Sequence, residues 1–167
     1  ALDLGINWFD TAALYGDGQS EENLGRLLNE LDDTPNVSTK IRLAPEDLAD
    51  IPAAIERNTM QSLARLHRQS VDLLQIHNQI ATVDGDRTLS VDSILGSGGV
   101  ADALDAMRKK GLTRFIGFTA LGETKGCLQV VESGRFDTAQ VYYNVINPTA
   151  ARPYLGITTG QGFSGLI

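Results

Sequence analysis

The chain has almost no cysteine, no long apolar run and no excess of positive charge. Its single Cys127 cannot close an internal disulfide, which suits a reducing, cytoplasmic setting. No stretch approaches the roughly 18 apolar residues of a membrane span, and no signal-peptide pattern is present. The 14 lysines and arginines are outnumbered by 21 aspartates and glutamates, leaving a net charge of −7. A surface of that sign repels a phosphate backbone, so nucleic acid is not an expected partner. Long polar tracts are missing too, which excludes a disordered chain. What remains is 167 residues, 42% of them hydrophobic, about the size of one domain with a real core.

Apolar periodicity alternates between two kinds of element along that domain. The run Ile6–Asp10 follows Gly5, a residue suited to stopping a preceding turn of helix. A helix is predicted to open at Ser20, with Glu21 and Glu22 favouring its dipole and Leu24, Leu27, Leu28 and Leu31 spaced at the helical period. A strand over 36–43 follows Pro35. A helix then starts near Pro52, with Ile55, Met60, Leu63 and Leu66 on one face. Val71–His77 reads as a strand, and 78–98 as an insertion rich in Gly, Asp and Ser with one apolar piece at Ile94 and Leu95. Val100, Leu104 and Met107 mark a helix closed by Lys109, Lys110 and Gly111. A strand at 114–119, a helix at 124–134 and a strand at 138–144 complete the series, and the chain beyond is irregular.

Strands separated by helices pair in parallel through helical crossovers. The five strands recur about every 33 residues, so eight units need about 260, close to the roughly 250 of a (β/α)8 barrel. A doubly wound open sheet is the rival, but its glycine-rich phosphate turn is missing from the first loop, which reads Thr11-Ala12-Ala13-Leu14-Tyr15-Gly16. Pattern alone leaves the two architectures even. The chain opens on Ala1 and stops at Ile167 within an apolar stretch, so residues 1–167 are expected to form one partial barrel domain, incomplete at both ends. Such a piece has open edges and an open core, and alone is expected to fold poorly and to be inactive.

Reactive side chains recur at the C-terminal ends of these strands, where parallel barrels build their active sites. Asp10 ends the first strand, with Tyr15 five residues on. Lys40 lies in the second, His77 ends the third, Thr119 the fourth, and Gln140 and Asn144 lie in the fifth. A phenol releases its proton only near pH 10 unless a cation stands close by. A lysine supplies that cation, an aspartate holds the lysine charged, and a neutral histidine orients a carbonyl oxygen. Singly, each has a bland reading: Asp10 as a loop cap, Tyr15 as a packed aromatic, Lys40 as a snorkelling surface lysine, His77 as a satisfied core histidine. Four such accidents at consecutive strand ends are a far less economical account. No metal-ligand spacing is present.

These segments resemble the aldo-keto reductase family. Gly5-Ile6-Asn7-Trp8-Phe9-Asp10-Thr11-Ala12, Tyr15-Gly16 and Ser20-Glu21-Glu22-Asn23-Leu24-Gly25 are similar to the family's first signature. Val37-Ser38-Thr39-Lys40 is similar to its lysine strand, and Val71–Asn78 to its histidine strand. Ile116-Gly117-Phe118 and Gln140–Asn144 match later strands. The resemblance implies a (β/α)8 barrel using NADP or NAD to reduce an aldehyde, ketone or sugar. It places Asp10, Tyr15, Lys40 and His77 on the catalytic tetrad, with Tyr15 as general acid. It places Asp10, Thr119 and Gln140 at the cofactor, and brings Tyr143 near the ring-stacking region. Where the family has Ser-Asn, this chain has Thr119-Ala120, and Ala120 lacks the amide contact. The Gly117-Phe118-Thr119 run and the tail Asn147-Pro148-Thr149-Ala150 look like branches that oxidise sugars. The other function the resemblance allows is a cofactor-binding regulatory or channel-associated subunit of the same fold with little turnover.

Overall fold

The computed structural model describes residues 2–31 and 34–146. Its first strand, β1 (Trp8–Asp10), leads into α1 (Gln19–Asn29), β2 (Asn36–Ile41) and α2 (Ile51–Arg65). Then come β3 (Val71–Ile76), β4 (Gln79–Ala81), β5 (Thr88–Ser90), α3 (Val91–Leu95) and α4 (Val100–Lys109). The series ends with β6 (Thr113–Thr119), α5 (Thr124–Glu132) and β7 (Thr138–Gln140). Five of these strands form one sheet in the order β1-β2-β3-β6-β7, every pair parallel. Consecutive βα units laid side by side in sequence order are the arc of a (β/α)8 barrel. A doubly wound sheet would reverse its strand order, and this one does not.

Alternation along each strand separates two faces. Val37, Thr39 and Ile41 of β2, Leu74 and Ile76 of β3, and Ile116 and Phe118 of β6 are buried on the helix-facing side. They pack with Ile55 and Leu63 of α2 and Leu104 and Met107 of α4 in one continuous apolar layer. The opposite side carries Leu73 and Phe115 in the row of Ser38, and otherwise buries polar side chains: Ser38, Lys40, Gln75, Thr119 and Thr138. One register row, Lys40–Gln75–Gly117–Thr138, crosses four strands. Gly117 is required in that row, because a Cβ would lie 2.2 Å from Thr138 Oγ1.

The local signals act much as their chemistry demands. Pro52 sits in the first turn of α2, where its missing N–H costs nothing, and Asp50 Oδ1 accepts the Ala53 N–H at 3.1 Å. Ser20 does not open its helix: α1 begins at Gln19 after Gly18, and the Ser20 hydroxyl instead meets Thr11 Oγ1 at 2.8 Å. The last strand stops at Gln140 rather than 144. Beyond it the Asn144 side chain takes the Ile146 N–H at 3.0 Å, a local turn bond that competes with the strand ladder. The insertion after β3 contains order that periodicity did not reveal. Strands β4 and β5 pair in parallel and bury Ile80 and Leu89, while α3 buries Ile94.

Helices α1 and α2 meet closely because position 25 is glycine. A Cβ there would fall 2.5 Å from the Arg65 carbonyl oxygen and 2.7 Å from the Leu66 carbonyl carbon. Gly25→Ala gains about 1 kcal/mol of helix propensity, but overpacking against backbone costs about 1–3 kcal/mol and occasionally more. The clash wins, so the denaturant midpoint of the full-length protein is expected to fall. A raised midpoint would show that the two helices are free to separate.

Candidate active site

The ends of β1, β2 and β3 bring Asp10, Lys40 and His77 together, and the loop after β1 returns Tyr15 to them. Lys40 is only 1% exposed, so the snorkelling-lysine reading fails. Its three N–H donors are all engaged: Asp10 Oδ2 at 2.5 Å, the Thr11 carbonyl at 3.0 Å and the Tyr15 hydroxyl at 3.5 Å. The ammonium also lies 5.1 Å from the centre of the Tyr15 ring. A buried charge is stable only when partnered in this way, and the pairing keeps the ammonium aimed at the phenol. Asp10 is itself held by the Ser38 hydroxyl, which donates to Oδ1 at 2.6 Å and receives the Trp8 indole N–H at 3.1 Å.

Tyr15 and His77 meet edge to face, with ring centres 5.7 Å apart and planes at 79°. Tyr15 is 42% exposed, so its hydroxyl stays within reach of both solvent and a bound molecule. His77 Nδ1 is buried with no hydrogen-bond partner among the described residues, so His77 is not a satisfied core histidine. Burial, reinforced by the positive charges of Lys40 and Arg42 and opposed by Asp10, holds the imidazole below its ordinary pKa of 6.5. The ring is therefore neutral at neutral pH. The linkage has a definite sign: between the folded pKa and 6.5 the unfolded chain binds a proton that the folded chain does not. Stability of the full-length protein is thus expected to rise with pH across that window, and His77→Gln to flatten the rise in denaturant titrations. An unchanged slope would place the titrating group elsewhere.

Tyr15 and His77 line a recess of about 200 Å³ together with Thr119, Leu121, Gln140, Val141 and Tyr142. Thr119 Oγ1 is buried and unpartnered among the described residues, and Gln140 stands beside it in register on β7. A buried hydroxyl without a partner next to an amide suits a ligand that both donates and accepts hydrogen bonds, as a carboxamide does. Ala120 turns its methyl to the apolar layer, and its backbone N–H donates to the Gln140 carbonyl at 2.8 Å. Tyr143 is partly exposed and does not line this recess. The tail Asn147–Ala150 lies outside the described residues. Among the described residues, no three His, Cys, Asp or Glu side chains converge as a metal site would need.

Sequence reasoning passed over several residues that shape this mouth. Ser38 sits two before Lys40 on the same strand face, and period-two counting alone points to it. Asn78 clamps the ends of β2 and β3: its amide accepts the Leu43 N–H and donates to the Leu43 carbonyl, both at 2.8 Å. Glu21 is fully buried and accepts from Thr39 Oγ1 at 2.5 Å and Arg65 Nε at 2.7 Å. That carboxylate ties α1, β2 and α2 together directly behind the strand that carries Lys40.

With this geometry in place, the comparisons agree with one another. The sequence model of the aldo/keto reductase family matches residues 1–155. The chain belongs to the aldo/keto reductase family. It is 33% identical over 124 residues to the L-galactose dehydrogenase of Arabidopsis thaliana, a match covering 72% of this chain and 36% of that protein. Among solved structures, the glycerol dehydrogenase of Gluconobacter oxydans superposes with a TM-score of 0.66 and 27% identity, over 89% of this chain and 44% of that one. An aldo-keto reductase from Klebsiella pneumoniae in complex with NADPH superposes at 0.65 with 25% identity, over 85% of this chain and 45% of that one. The chain thus spans about a third to a half of the length of these relatives, and its fold is the matching part of an incomplete (β/α)8 barrel. No helix among the described residues is long and apolar enough to cross a membrane.

Proposed function

We propose that the protein transfers hydride between a nicotinamide and a small carbonyl compound, an aldehyde, ketone or sugar, with Tyr15 as the proton donor. The observation that carries this reading is the Lys40 ammonium, buried, bonded to Asp10 and aimed at the Tyr15 hydroxyl. The hydride would come from NADP or NAD in its reduced form, with Thr119 and Gln140 placed to hold the carboxamide and Asp10 joined to Tyr15 through Lys40. The bound Klebsiella relative supports a nicotinamide here, and the L-galactose and glycerol dehydrogenases support polyol and sugar substrates.

The chain's own residues then divide the work. Neutral His77 donates a ring N–H to the carbonyl oxygen and turns the carbonyl toward Tyr15. As hydride adds to carbon, the C=O π electrons move to oxygen, and the phenolic proton of Tyr15 passes to that oxygen to give the alcohol. The phenolate left behind lies 3.5 Å from the Lys40 ammonium, which stabilises it. Its partial exposure lets solvent return the proton. Run in reverse, the phenolate takes the alcohol proton and the same residues oxidise a sugar or polyol. The lone Cys127, half-buried with its thiol pKa raised by burial, fits a cytoplasmic protein.

The test is consumption of reduced nicotinamide by the full-length protein with a panel of small aldehydes and sugars. Turnover lost on Tyr15→Phe supports the reading. A protein that binds nucleotide and turns over no carbonyl is a regulatory subunit instead.

A further inference from the structure

Asp10 and Ser38 are register partners across β1 and β2, and two residues along the same strand faces stand Trp8 and Lys40. These four side chains form a line of hydrogen bonds whose direction is set at its far end. The Trp8 indole N–H can only donate, so at 3.1 Å it makes the Ser38 oxygen an acceptor. The single hydroxyl proton of Ser38 is then left for Asp10 Oδ1 at 2.6 Å, the Phe9 carbonyl being more distant at 3.5 Å. Asp10 Oδ2 takes the Lys40 ammonium at 2.5 Å. Among the described residues, Ser38 and Lys40 are the side-chain partners of that carboxylate. Solvent reaches the Asp10 side chain, which is 38% exposed, but not Ser38, which is fully buried. The hydroxyl therefore holds the carboxylate turned toward Lys40 from the side that water does not enter.

We infer that Ser38, seated by Trp8, is a positioning residue for the proton transfer: it keeps Asp10 against Lys40 and so sets how firmly the Tyr15–Lys40 couple holds its proton. The inference rests on the reading of Tyr15 as proton donor above. Phenol and ammonium together carry one positive charge, and loss of a proton from either leaves the couple neutral. An anion beside the couple favours its charged form, whichever group releases the proton. Loosening Asp10 therefore brings that release to lower pH. Other groups face the couple as well. Neutral His77 meets the Tyr15 ring from the end of β3, Arg42 follows β2, and exposed Asp17 lies two residues past Tyr15. Behind β2 the Glu21 carboxylate is bonded to Thr39 and Arg65. Among the described residues none of these is hydrogen-bonded to Ser38, so its removal leaves them in place.

The experiment compares wild type, Ser38→Ala, Ser38→Thr and Trp8→Phe of the full-length protein, reducing 4-nitrobenzaldehyde across a range of pH. Met107→Ala, in the apolar layer on α4, is the structural control. Reduction needs the phenolic proton, so the alkaline limb of kcat reports the couple. Ser38→Ala is expected to lower kcat about tenfold, the low end for a hydrogen bond to a charged group, because water in part replaces it. The same effect moves the alkaline limb down by about one pH unit. Ser38→Thr keeps the hydroxyl and recovers the limb in part, and Trp8→Phe moves it the same way by less. Met107→Ala lowers the thermal midpoint and leaves the limb in place. A limb unmoved in Ser38→Ala, or moved as far in Met107→Ala, overturns the inference. Where Ser38→Ala does not fold, Trp8→Phe decides on the same terms. If wild type reduces no aldehyde, the reading of Tyr15 fails on its own. NMR titration of 13C-labelled tyrosine and lysine, assigned with Tyr15→Phe and Lys40→Met, then decides this one: a downward shift in Ser38→Ala supports it, and none overturns it.

Discussion

Replacing Tyr15 by phenylalanine is expected to lower kcat for carbonyl reduction by about 10³-fold while leaving the fold intact. The expectation follows from how little else the hydroxyl does. Among the described residues its one hydrogen-bond contact is the 3.5 Å approach of Lys40, which keeps its bonds to Asp10 and Thr11 without it. Phenylalanine retains the edge-on contact with His77 and the ring beneath the ammonium. No buried group is stranded, so the thermal midpoint should move little. The proton, however, loses its only positioned donor, and positioned proton transfer is worth about 10² to 10⁴ in rate. Full turnover by the phenylalanine variant would remove Tyr15 from the chemistry.

The second large effect is expected at Lys40. Lys40→Met fills the same narrow space with an unbranched apolar chain but removes the charge beside the phenol. Two unit charges about 4 Å apart interact by about 4 kcal/mol at an effective dielectric near 20, and loss of one preorganised donor typically costs about 10²- to 10³-fold in kcat. A loss of that size is expected in both directions. It should be greater for alcohol oxidation, which needs the phenolate already formed before the substrate proton can leave. Asp10 is stranded by the change, but its side chain is 38% exposed and takes water in exchange, so the protein should remain folded. Equal losses in both directions would mean that Lys40 orients Tyr15 and does little to its charge.

Much of this arrangement was legible beforehand because it lies in strands. Parallel pairing sends every strand's C-terminal end to one rim, so Asp10, Lys40 and His77 had to be neighbours once the elements were recognised. Period-two alternation likewise predicts that Lys40 and Ser38 share a face. Tyr15 was harder, since five loop residues separate it from β1, and only the resemblance to a known signature placed it.

Other features have no local signature. Glu21 and Glu22 are indistinguishable as acidic residues in a first helical turn, yet Glu22 is exposed and Glu21 fully buried. The difference is set by Arg65, 44 residues away in sequence, which no window of helical periodicity contains. The three-residue strands β4 and β5 are too short to register as alternation, so the insertion offers only the apolar piece at Ile94 and Leu95, although it buries Ile80 and Leu89 as well. The high strand propensity of Val141, Tyr142 and Tyr143 predicts a last strand running to 144, four residues past the end of β7. Nothing in propensity reports that the ladder with β6 ends at Gln140.

The most direct trial of the account is to supply the full-length protein with reduced nicotinamide carrying two deuterium atoms at C4, add 4-nitrobenzaldehyde, and weigh the product by mass spectrometry. The account predicts an alcohol with one deuterium on the carbinol carbon, and none when Tyr15 is phenylalanine. An alcohol free of deuterium, or no alcohol from the unaltered protein, would contradict it.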